Sequence, residues 1–313
     1  MKRELLTRTM RHVLVIGIFL AVSIHPAPSD AESLLEKNFH YFQPPADGSG
    51  MVLTYGSEAL TWLGMHYGLY ADGAVDHLTV ILDNDEEEPL IENQLGMNLM
   101  YAIGITRFVN VGLALPVVAY RTFNEDFEPE GADEMALEDL RVDVKGILFD
   151  RRRRCLGLAL NLTGVVPLDR SENTFLSDNG FGVTPRLIAD LGREWWTVAL
   201  NVGYRYNTES ESDVLDMEVL NELLVNLGAT FRLGDYGQVL LDSAFRTPAT
   251  KFFSDSSGNY GELMAAYRYF LGTYSHVALT AGAGMGILNG AGTPTTRVFL
   301  GVTVYEHHLE RGR

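Results

Sequence analysis

Residues 195–206 read WWTVALNVGYRY, and the alternation within this stretch decides the fold. The even-numbered positions are aromatic or aliphatic, whereas the odd-numbered positions include Asn201, Gly203 and Arg205. Successive side chains of a β-strand point to opposite faces, so a strand here has one apolar and one polar face. A polar face of glycine, small residues and charge is typical of the wet interior of a membrane barrel.

The same alternation recurs in segments of about ten residues. We identify twelve of them, near 60–70, 91–101, 107–119, 140–149, 155–166, 181–191, 195–206, 222–233, 238–246, 260–270, 276–286 and 297–305. Long connections at 71–90, 120–139, 167–180, 207–221, 247–259 and 287–296 alternate with short ones at 102–106, 150–154, 192–194, 234–237 and 271–275. Short periplasmic turns and long external loops produce this alternation. The sequence predicts an all-β fold, a transmembrane antiparallel up-and-down β-barrel of about twelve strands at residues 59–306.

The N-terminus indicates export. Residues 1–31 combine basic residues, a short apolar run and small residues before a cleavage point, which is typical of a cleaved signal peptide. The apolar run is shorter than the roughly 20 residues that a spanning helix needs. Residues 32–58 are less regular, and the sequence leaves open a periplasmic N-terminal segment or a plug in the barrel lumen. Residues 307–313 are expected to form a C-terminal tail.

The charge is acidic and unevenly distributed. The formal net charge is −17, and acidic residues concentrate in the first, second and fourth long connections. By contrast, the short connection at 150–154 contains four consecutive arginines. Phosphates would be repelled by the acidic connections, which argues against a nucleic-acid partner. We expect a monomer in the outer membrane of a Gram-negative bacterium, in contact with lipid and lipopolysaccharide.

Charged residues within the segments fall on the inward parity. The candidate lumen or pore-lining residues are Glu92, Arg141, Asp143, Lys145, Arg186, Asp190, Arg205, Glu222, Arg232, Asp242, Arg246, Glu262, Arg268 and Arg297. The one charge assigned to the lipid face is Arg107, at the short-turn rim, from which its side chain can reach lipid headgroups. An arginine at mid-membrane would cost roughly 2–4 kcal/mol, so the absence of charge there supports the assignment of faces.

Outward aromatic residues predict two interfacial girdles. Those expected near the short-turn rim are Tyr101, Trp196, Phe231, Tyr267 and Tyr269, and those expected near the opposite rim are Tyr67, Tyr204 and Tyr206. Pro116 and Pro185 fall inside predicted strands. Because proline cannot donate to a sheet ladder, we expect both near the outer ends, where pairing can stop early.

Other motifs favour ordinary structural roles. Asp76 and His77, with the acidic run at 83–88, indicate a solvated acidic loop rather than a protease or calcium site. The alternating glycines at 282, 284 and 286 indicate either a close approach of the backbone or a narrow lumen. Cys155 is expected on a barrel strand, and the histidines at 307 and 308 in an exposed tail. We predict no catalytic residue, no metal and no cofactor.

Four stretches carry a family resemblance. Phe42–Asp47, Val75–His77, Leu137–Val142 and above all the closing run Gly290–Val302 resemble the N-terminal barrel of OmpA-family outer-membrane proteins. Within that family, the sequence is similar to transporter-like barrels of the meta-pathway phenol-degradation type. It implies a membrane barrel and no catalytic residues. Many family members continue into a peptidoglycan-binding domain, and this sequence carries no such continuation within its 313 residues, so that function is not transferred.

Two functional hypotheses follow from a barrel of twelve strands. Eight strands leave an interior filled by side chains and sixteen leave an open channel, so twelve lies between these cases. If the inward charges line a gap, the protein is a passive pore or transporter for small solutes, which we favour. If they pair across the lumen, it is a structural or surface-adhesion barrel with a salt-bridged, closed interior. An outer-membrane enzyme is the third choice.

Overall fold

The computed structural model describes residues 38–81, 87–124, 135–168, 181–207, 221–249, 258–272 and 276–306. The predicted signal peptide at 1–31, the tail at 307–313 and most of the acidic residues of the long connections lie outside these ranges. Within the described residues, no helix has the length and apolar character needed to cross a membrane.

The chain forms a sequence of antiparallel strands with one short helix. The elements are β1 (Met65–Ile81), β2 (Glu87–Thr106), β3 (Val109–Phe123), β4 (Ala136–Leu137), β5 (Leu140–Phe149), α1 (Arg151–Arg154), β6 (Leu156–Val166), β7 (Gly182–Arg193), β8 (Trp196–Asn207), β9 (Glu222–Leu233), β10 (Gly237–Pro248), β11 (Tyr260–Phe270), β12 (Val277–Gly286) and β13 (Thr296–Glu306). Apart from α1 and the two-residue β4, the elements are long strands, and these twelve strands form the barrel wall.

Pairing between the first and last strands closes the sheet. Met65 on β1 is opposite Ile103 on β2 and also opposite Glu306 on β13. Every other long strand pairs with the long strands before and after it in the chain. The short β4 pairs with β3. Closure leaves no open edge, which is the condition for a sheet in hydrocarbon. The predicted fold class, a closed antiparallel barrel of twelve strands, is confirmed.

The outer surface is apolar along the strands. Leu160 on β6, Leu200 on β8 and Leu300 on β13 are 52%, 43% and 66% exposed, whereas the alternate positions of the same strands are buried. In water such exposure would be costly, at about 25 cal/mol per Å² of apolar surface. The alternation therefore matches a barrel whose outside faces lipid.

The first hairpin differs from the sequence prediction. Most of the predicted long loop at 71–90 is strand, and β1 begins at Met65 rather than near residue 60. As a consequence Tyr67 lies at the short-turn rim, opposite Tyr101, with ring centroids 5.3 Å apart. The prediction that Tyr67 belongs to the opposite girdle is wrong, because it rested on a strand start placed five residues too early.

A β-bulge in β1 changes the direction of side chains. Asp76 has φ +49°, and the pairing with β2 shifts between Val75 and Leu78. The extra residue turns His77 inward, where it is buried. The prediction that Asp76 and His77 sit together in a solvated loop is therefore wrong for His77.

Pro116 and Pro185 both lie where pairing is interrupted. The ladder from β3 to β5 ends at Ala114, two residues before Pro116, and β4 pairs with the following residues. On β7 the ladder to β8 skips Pro185 and resumes at Arg186. Pro116 nevertheless lies in the middle of β3 rather than near its end, so the expectation about its position is wrong although the interrupted ladder is as expected.

The arginine run at the short connection forms helix α1. The Asp150 side chain accepts a hydrogen bond from the backbone N–H of Arg152, and Cys155 ends the helix with φ +61°. Cys155 is therefore a helix cap rather than a strand residue, which corrects the prediction. Its left-handed conformation returns the chain to β6.

The lipid-facing surface can be tested with charged substitutions, because the cost of a charged side chain depends on its depth in the bilayer. We expect Leu160→Arg, near the middle of β6, to lower the free energy of unfolding in lipid vesicles by roughly 2–4 kcal/mol, and Leu156→Arg, on the same face at the rim, by roughly 0–1 kcal/mol. The measurement is denaturant-dependent folding in phospholipid vesicles. Equal costs at the two positions would contradict a membrane-spanning β6.

Candidate functional site: the barrel interior

Residues 38–60, the interior segment, run along the inward face of the barrel from one end to the other. Asn38 donates to the Glu138 side chain, which lies where the long connection after β3 ends. Glu58 contacts Arg151 of α1 at the short-connection end, after which the chain enters β1. Most side chains of the segment are buried. Irregular backbone at membrane depth is tolerated only within protein or a water-filled cavity, so each polar group needs a partner from the wall.

Asp242 on β10 holds the middle of the interior segment. Its carboxylate accepts hydrogen bonds from the backbone N–H groups of Val52, Leu53 and Thr54, at 2.8, 2.7 and 3.0 Å. The Thr54 hydroxyl donates to the second oxygen at 2.5 Å. Successive N–H groups directed at one point form a backbone nest, which is a site for an anion. In this structure a wall carboxylate occupies the nest.

Lys145 on β5 binds the segment on both sides of residues 52–54. Its ammonium group donates to the Ser49 hydroxyl and to the carbonyls of Gly56 and Glu58, at 2.7, 3.0 and 2.8 Å, and it pairs with the Asp47 carboxylate. Burial acts to raise the pKa of Asp47, but the Lys145 charge and the hydrogen bonds from Lys145, Ser49 and Asn110 together lower that pKa. Asp47 therefore stays ionised, and the Lys145 charge is neutralised from within the segment.

Asparagines of the wall satisfy the segment's backbone. Asn201 accepts from the Tyr55 N–H at 2.7 Å and donates to the Tyr55 carbonyl at 3.0 Å, as a neighbouring strand would. Asn226, opposite Asn201 on β9, donates to the Leu53 carbonyl at 3.1 Å. The sequence prediction missed these neutral residues because it selected charged positions only. Their inward parity was the available signal.

Aromatic rings of the segment face wall arginines. The guanidinium-to-centroid distances are 4.1 Å for Arg246 and Tyr41, 4.5 Å for Arg186 and Tyr55, and 5.3 Å for Arg297 and Phe42. These distances allow cation–π attraction. Phe42 also packs against Phe299 of β13, within the main apolar cluster of the interior.

An ionic chain lies near the long-connection end. The His40 ring contacts the carboxylates of Glu138 and Asp72, at 2.6 and 3.2 Å. Arg297 pairs with Asp72 and, at 2.9 Å, with Glu262. Burial acts to lower the pKa of His40, but the charges of Glu138 and Asp72 outweigh it and raise that pKa to about 10. At neutral pH His40 is a cation between two carboxylates.

The predicted inward residues fall into three groups. Nine contact the interior segment: Arg141, Asp143, Lys145, Arg186, Asp190, Asp242, Arg246, Arg268 and Arg297. Glu222 and Glu262 pair with Arg246 and Arg297, at 3.8 and 2.9 Å, and Arg205 is buried on β8. Glu92 lies half-buried at a register shift in β2, and Arg232 is exposed. That any of them lines a conducting path stays a prediction.

A cavity of about 1090 Å³ lies at the short-connection end. Its lining includes the segment residues Ser49, Gly50 and Glu58 and the wall residues Arg232 and Arg268. The cavity therefore ends against the interior segment. Within the described ranges, no group of three or more His, Cys, Asp or Glu side chains is arranged to hold a metal ion.

Comparison with known proteins gives the fold. No protein-family model and no curated protein matches the chain. Among solved structures, the COG4313 outer membrane channel from Pseudomonas putida F1 has a TM-score of 0.60 at 11% identity, covering 80% of this chain and 97% of that one. The fold is thus that of an outer-membrane barrel, in agreement with the predicted location.

Two further barrels are more distant. The NanC porin has a TM-score of 0.49 at 10% identity, covering 79% of this chain and 100% of that one. The P. putida toluene transporter TodX has a TM-score of 0.42 at 10% identity, covering 82% and 97%. None of these structures identifies an OmpA-family protein, and the first alone is similar enough to support the fold.

Neutralising Asp242 should loosen the middle of the interior segment. Hydrogen bonds to a charged group contribute about 1.5–3 kcal/mol, so we expect Asp242→Asn to speed amide hydrogen exchange at residues 52–54 by about ten- to a hundredfold. Exchange followed by mass spectrometry measures this, with Asp235→Asn in an exposed turn as the control. Unchanged protection in a folded Asp242→Asn protein would show that the nest does not depend on the charge.

The His40 contacts predict a titration far from neutrality. Because the pKa in the folded protein is raised, the stabilisation is complete below the ordinary value of 6.5 and is lost as the pH rises through about 10. The groups facing the ring are Glu138, Asp72 and the His77 ring, whose centroid is 6.0 Å away. NMR of labelled histidines should show His40 still protonated at pH 8. Titration of His40 near 6.5 would contradict the ion pairs.

Proposed function

We propose that the protein is an outer-membrane channel for small solutes whose interior is occupied at rest by the interior segment. The observation that carries the proposal is the polar character of the contacts around residues 47–58, directly above the cavity of about 1090 Å³. Lys145, Asp190 and Asp242 hold this part through hydrogen bonds and ion pairs. Hydrogen bonds to charged groups contribute about 1.5–3 kcal/mol each, and water can replace them where the segment shifts.

A shift of this part of the segment would connect the cavity with the rest of the lumen. Local openings of this kind are separate from global unfolding and have smaller free energies. The wall itself is a closed ladder of backbone hydrogen bonds and does not need to move. The channel would therefore open by rearrangement of the segment inside a rigid barrel. One known structure with this fold, the COG4313 protein, is described as an outer membrane channel, which supports the proposal.

The main alternative is a structural barrel with a closed interior, and one observation favours it. The long-connection half is sealed by the apolar cluster around Phe42 and Phe299 and by the ionic chain through Arg297. Buried ion pairs with all partners in place are costly to break, at about 3–5 kcal/mol when one partner is removed. If this half never opens, solutes cannot pass.

Three further predictions from the sequence are part of this proposal. Contact with lipid and lipopolysaccharide, the monomeric state and a distant relationship to the OmpA-family barrel, indicated by the closing run Gly290–Val302, agree with this function. The proposal includes no catalytic step and no cofactor. Its solutes are small because the cavity that receives them is bounded by the segment and by the wall.

Conductance in planar bilayers tests the channel. We expect the refolded wild type to show brief openings, and Asp242→Asn to raise the open fraction by about tenfold or more, since the lost contacts contribute about 1.5–3 kcal/mol. Asp235→Asn should behave as the wild type. If correctly folded wild-type and Asp242→Asn proteins both fail to conduct, the closed structural barrel replaces this proposal.

A reversible cross-link makes the test sharper. A Cβ atom placed on Gly228 would lie 3.1 Å from the Cβ of Thr54, slightly closer than in a disulfide, where the distance is roughly 3.5–4.5 Å. In a Cys155→Ser background, Thr54→Cys with Gly228→Cys should therefore join the segment to β9 after a small shift. We expect oxidation to abolish conductance and reduction to restore it, with each single variant insensitive. Conductance that persists in the fully oxidised protein would place the path elsewhere.

A further inference from the structure

The cavity at the short-connection end has a row of hydrogen-bond donors along one side. Gln238 on β10 is opposite Arg232 on β9 and also opposite Arg268 on β11. Arg268 is in turn opposite Thr280 on β12. Arg232, Gln238, Arg268 and Thr280 therefore form a single row across four adjacent strands, and the first three line the cavity. Opposite residues on neighbouring strands lie roughly 5 Å apart, so both arginines can reach one small molecule between them.

The Arg268 side chain carries a buried charge without a carboxylate partner in the described part of the chain. It is 7% exposed, and its guanidinium donates to the carbonyls of Gly50 and Met51 and to the Thr280 hydroxyl, at 3.2, 3.0 and 3.3 Å. These hydrogen-bond partners supply no negative charge, and the Glu58 carboxylate acts on Arg268 only through longer-range attraction. A desolvated cation in this state favours an anion close by.

The acidic groups that line the cavity are largely committed elsewhere. Asp47 pairs with Lys145, and Glu58 pairs with Arg151. Asp190 accepts from the backbone and the hydroxyl of Ser57, at 2.8 and 2.7 Å. Arg193, the last residue of β7, and Glu194, which follows it, carry opposite formal charges.

Arg232 is positioned to complete an anion site. Its side chain is exposed, and it makes two long hydrogen bonds to backbone carbonyls, at 3.3 Å to Gly234 and 3.5 Å to Asp235. An arginine held this weakly can turn toward a ligand at little cost. Its planar donor fork matches the geometry of a carboxylate or a phosphate.

We propose that this cavity is a binding site for a small oxyanion, a carboxylate- or phosphate-bearing solute, held by Arg232, Gln238 and Arg268. The inference deepens the proposed function, because it names the class of solute that reaches the interior segment from the short-connection end. Binding itself does not require conduction. The site and the channel can therefore fail independently of each other.

Calorimetric titration of the full refolded chain in detergent micelles tests the site. The probes are inorganic phosphate and succinate at low ionic strength, with uncharged erythritol as the matched solute. We expect saturable binding of at least one anion, weakened at least tenfold by Arg232→Gln and by Arg268→Gln, and weakened by added salt because the attraction is electrostatic. A preference between the two probes assigns phosphate or carboxylate as the recognised group.

The control variant is Arg107→Gln. Arg107 lies at the same rim but stacks on Phe108 outside the lumen, with its guanidinium 4.6 Å from the ring centroid. Its loss should leave anion binding unchanged. Because Arg268→Gln also removes bonds to the interior segment, the exposed Arg232→Gln variant decides the result if Arg268→Gln does not fold.

Two results would overturn the proposal. One is a folded wild-type protein that shows no saturable binding of either anion, and the other is equal binding by the wild type and Arg232→Gln. Neither result bears on conductance, so a channel measured in bilayers would stand without this site. Conversely, anion binding in a protein that never conducts would leave the site intact and remove the channel.

Discussion

The ladder between β1 and β13 is the contact on which the rest of the structure depends. Met65 is opposite Glu306 at one end of this ladder and Val75 is opposite Thr296 at the other. Without it the sheet would have two free edges, each with unpaired backbone groups that hydrocarbon cannot satisfy. Closure also defines an inside. Side chains as distant in the chain as Asp72 and Arg297 become neighbours only because the first and last strands pair.

The interior is organised around a piece of main chain rather than around side chains alone. A wall of twelve long strands leaves more room than its own inward side chains fill, and residues 38–60 take up that room. Charge on the wall is matched to the polarity of the segment. Asp242 meets N–H groups, while Lys145 and Arg268 meet carbonyls. Burial of these three charges is tolerable because each has hydrogen-bond partners in place.

The alternation of residues allowed much of the wall to be predicted from the sequence. Strands β5, β9 and β11 begin and end where the alternation at 140–149, 222–233 and 260–270 placed them. The alternation also placed residues such as Asp242 and Lys145 on the inward face, because every second side chain of a regular strand points to the same face. Where a bulge breaks that period, as at Asp76, the prediction for the next residue was wrong.

The path of residues 38–60 could not be derived in the same way. Val52 and Asp242 are separated by 190 positions, and no local pattern in the segment indicates its partner. The asparagines gave a weak signal, since Asn201 and Asn226 sit at inward positions where charge was not needed. The extent of β1 was missed for a related reason. Its second half is paired to β2 across a bulge, so the alternation that would have extended the strand is interrupted.

The covalent link between residues 38–60 and β1 constrains how this molecule can assemble. The segment directly precedes the first strand, and the last strand seals the cylinder by pairing with that same first strand. Residues 38–60 must therefore be in place before β13 docks, or must thread through a finished barrel against its aromatic lining. If the barrel closes around the segment, the arrival of the C-terminal strand β13 is the step that traps residues 38–60 inside.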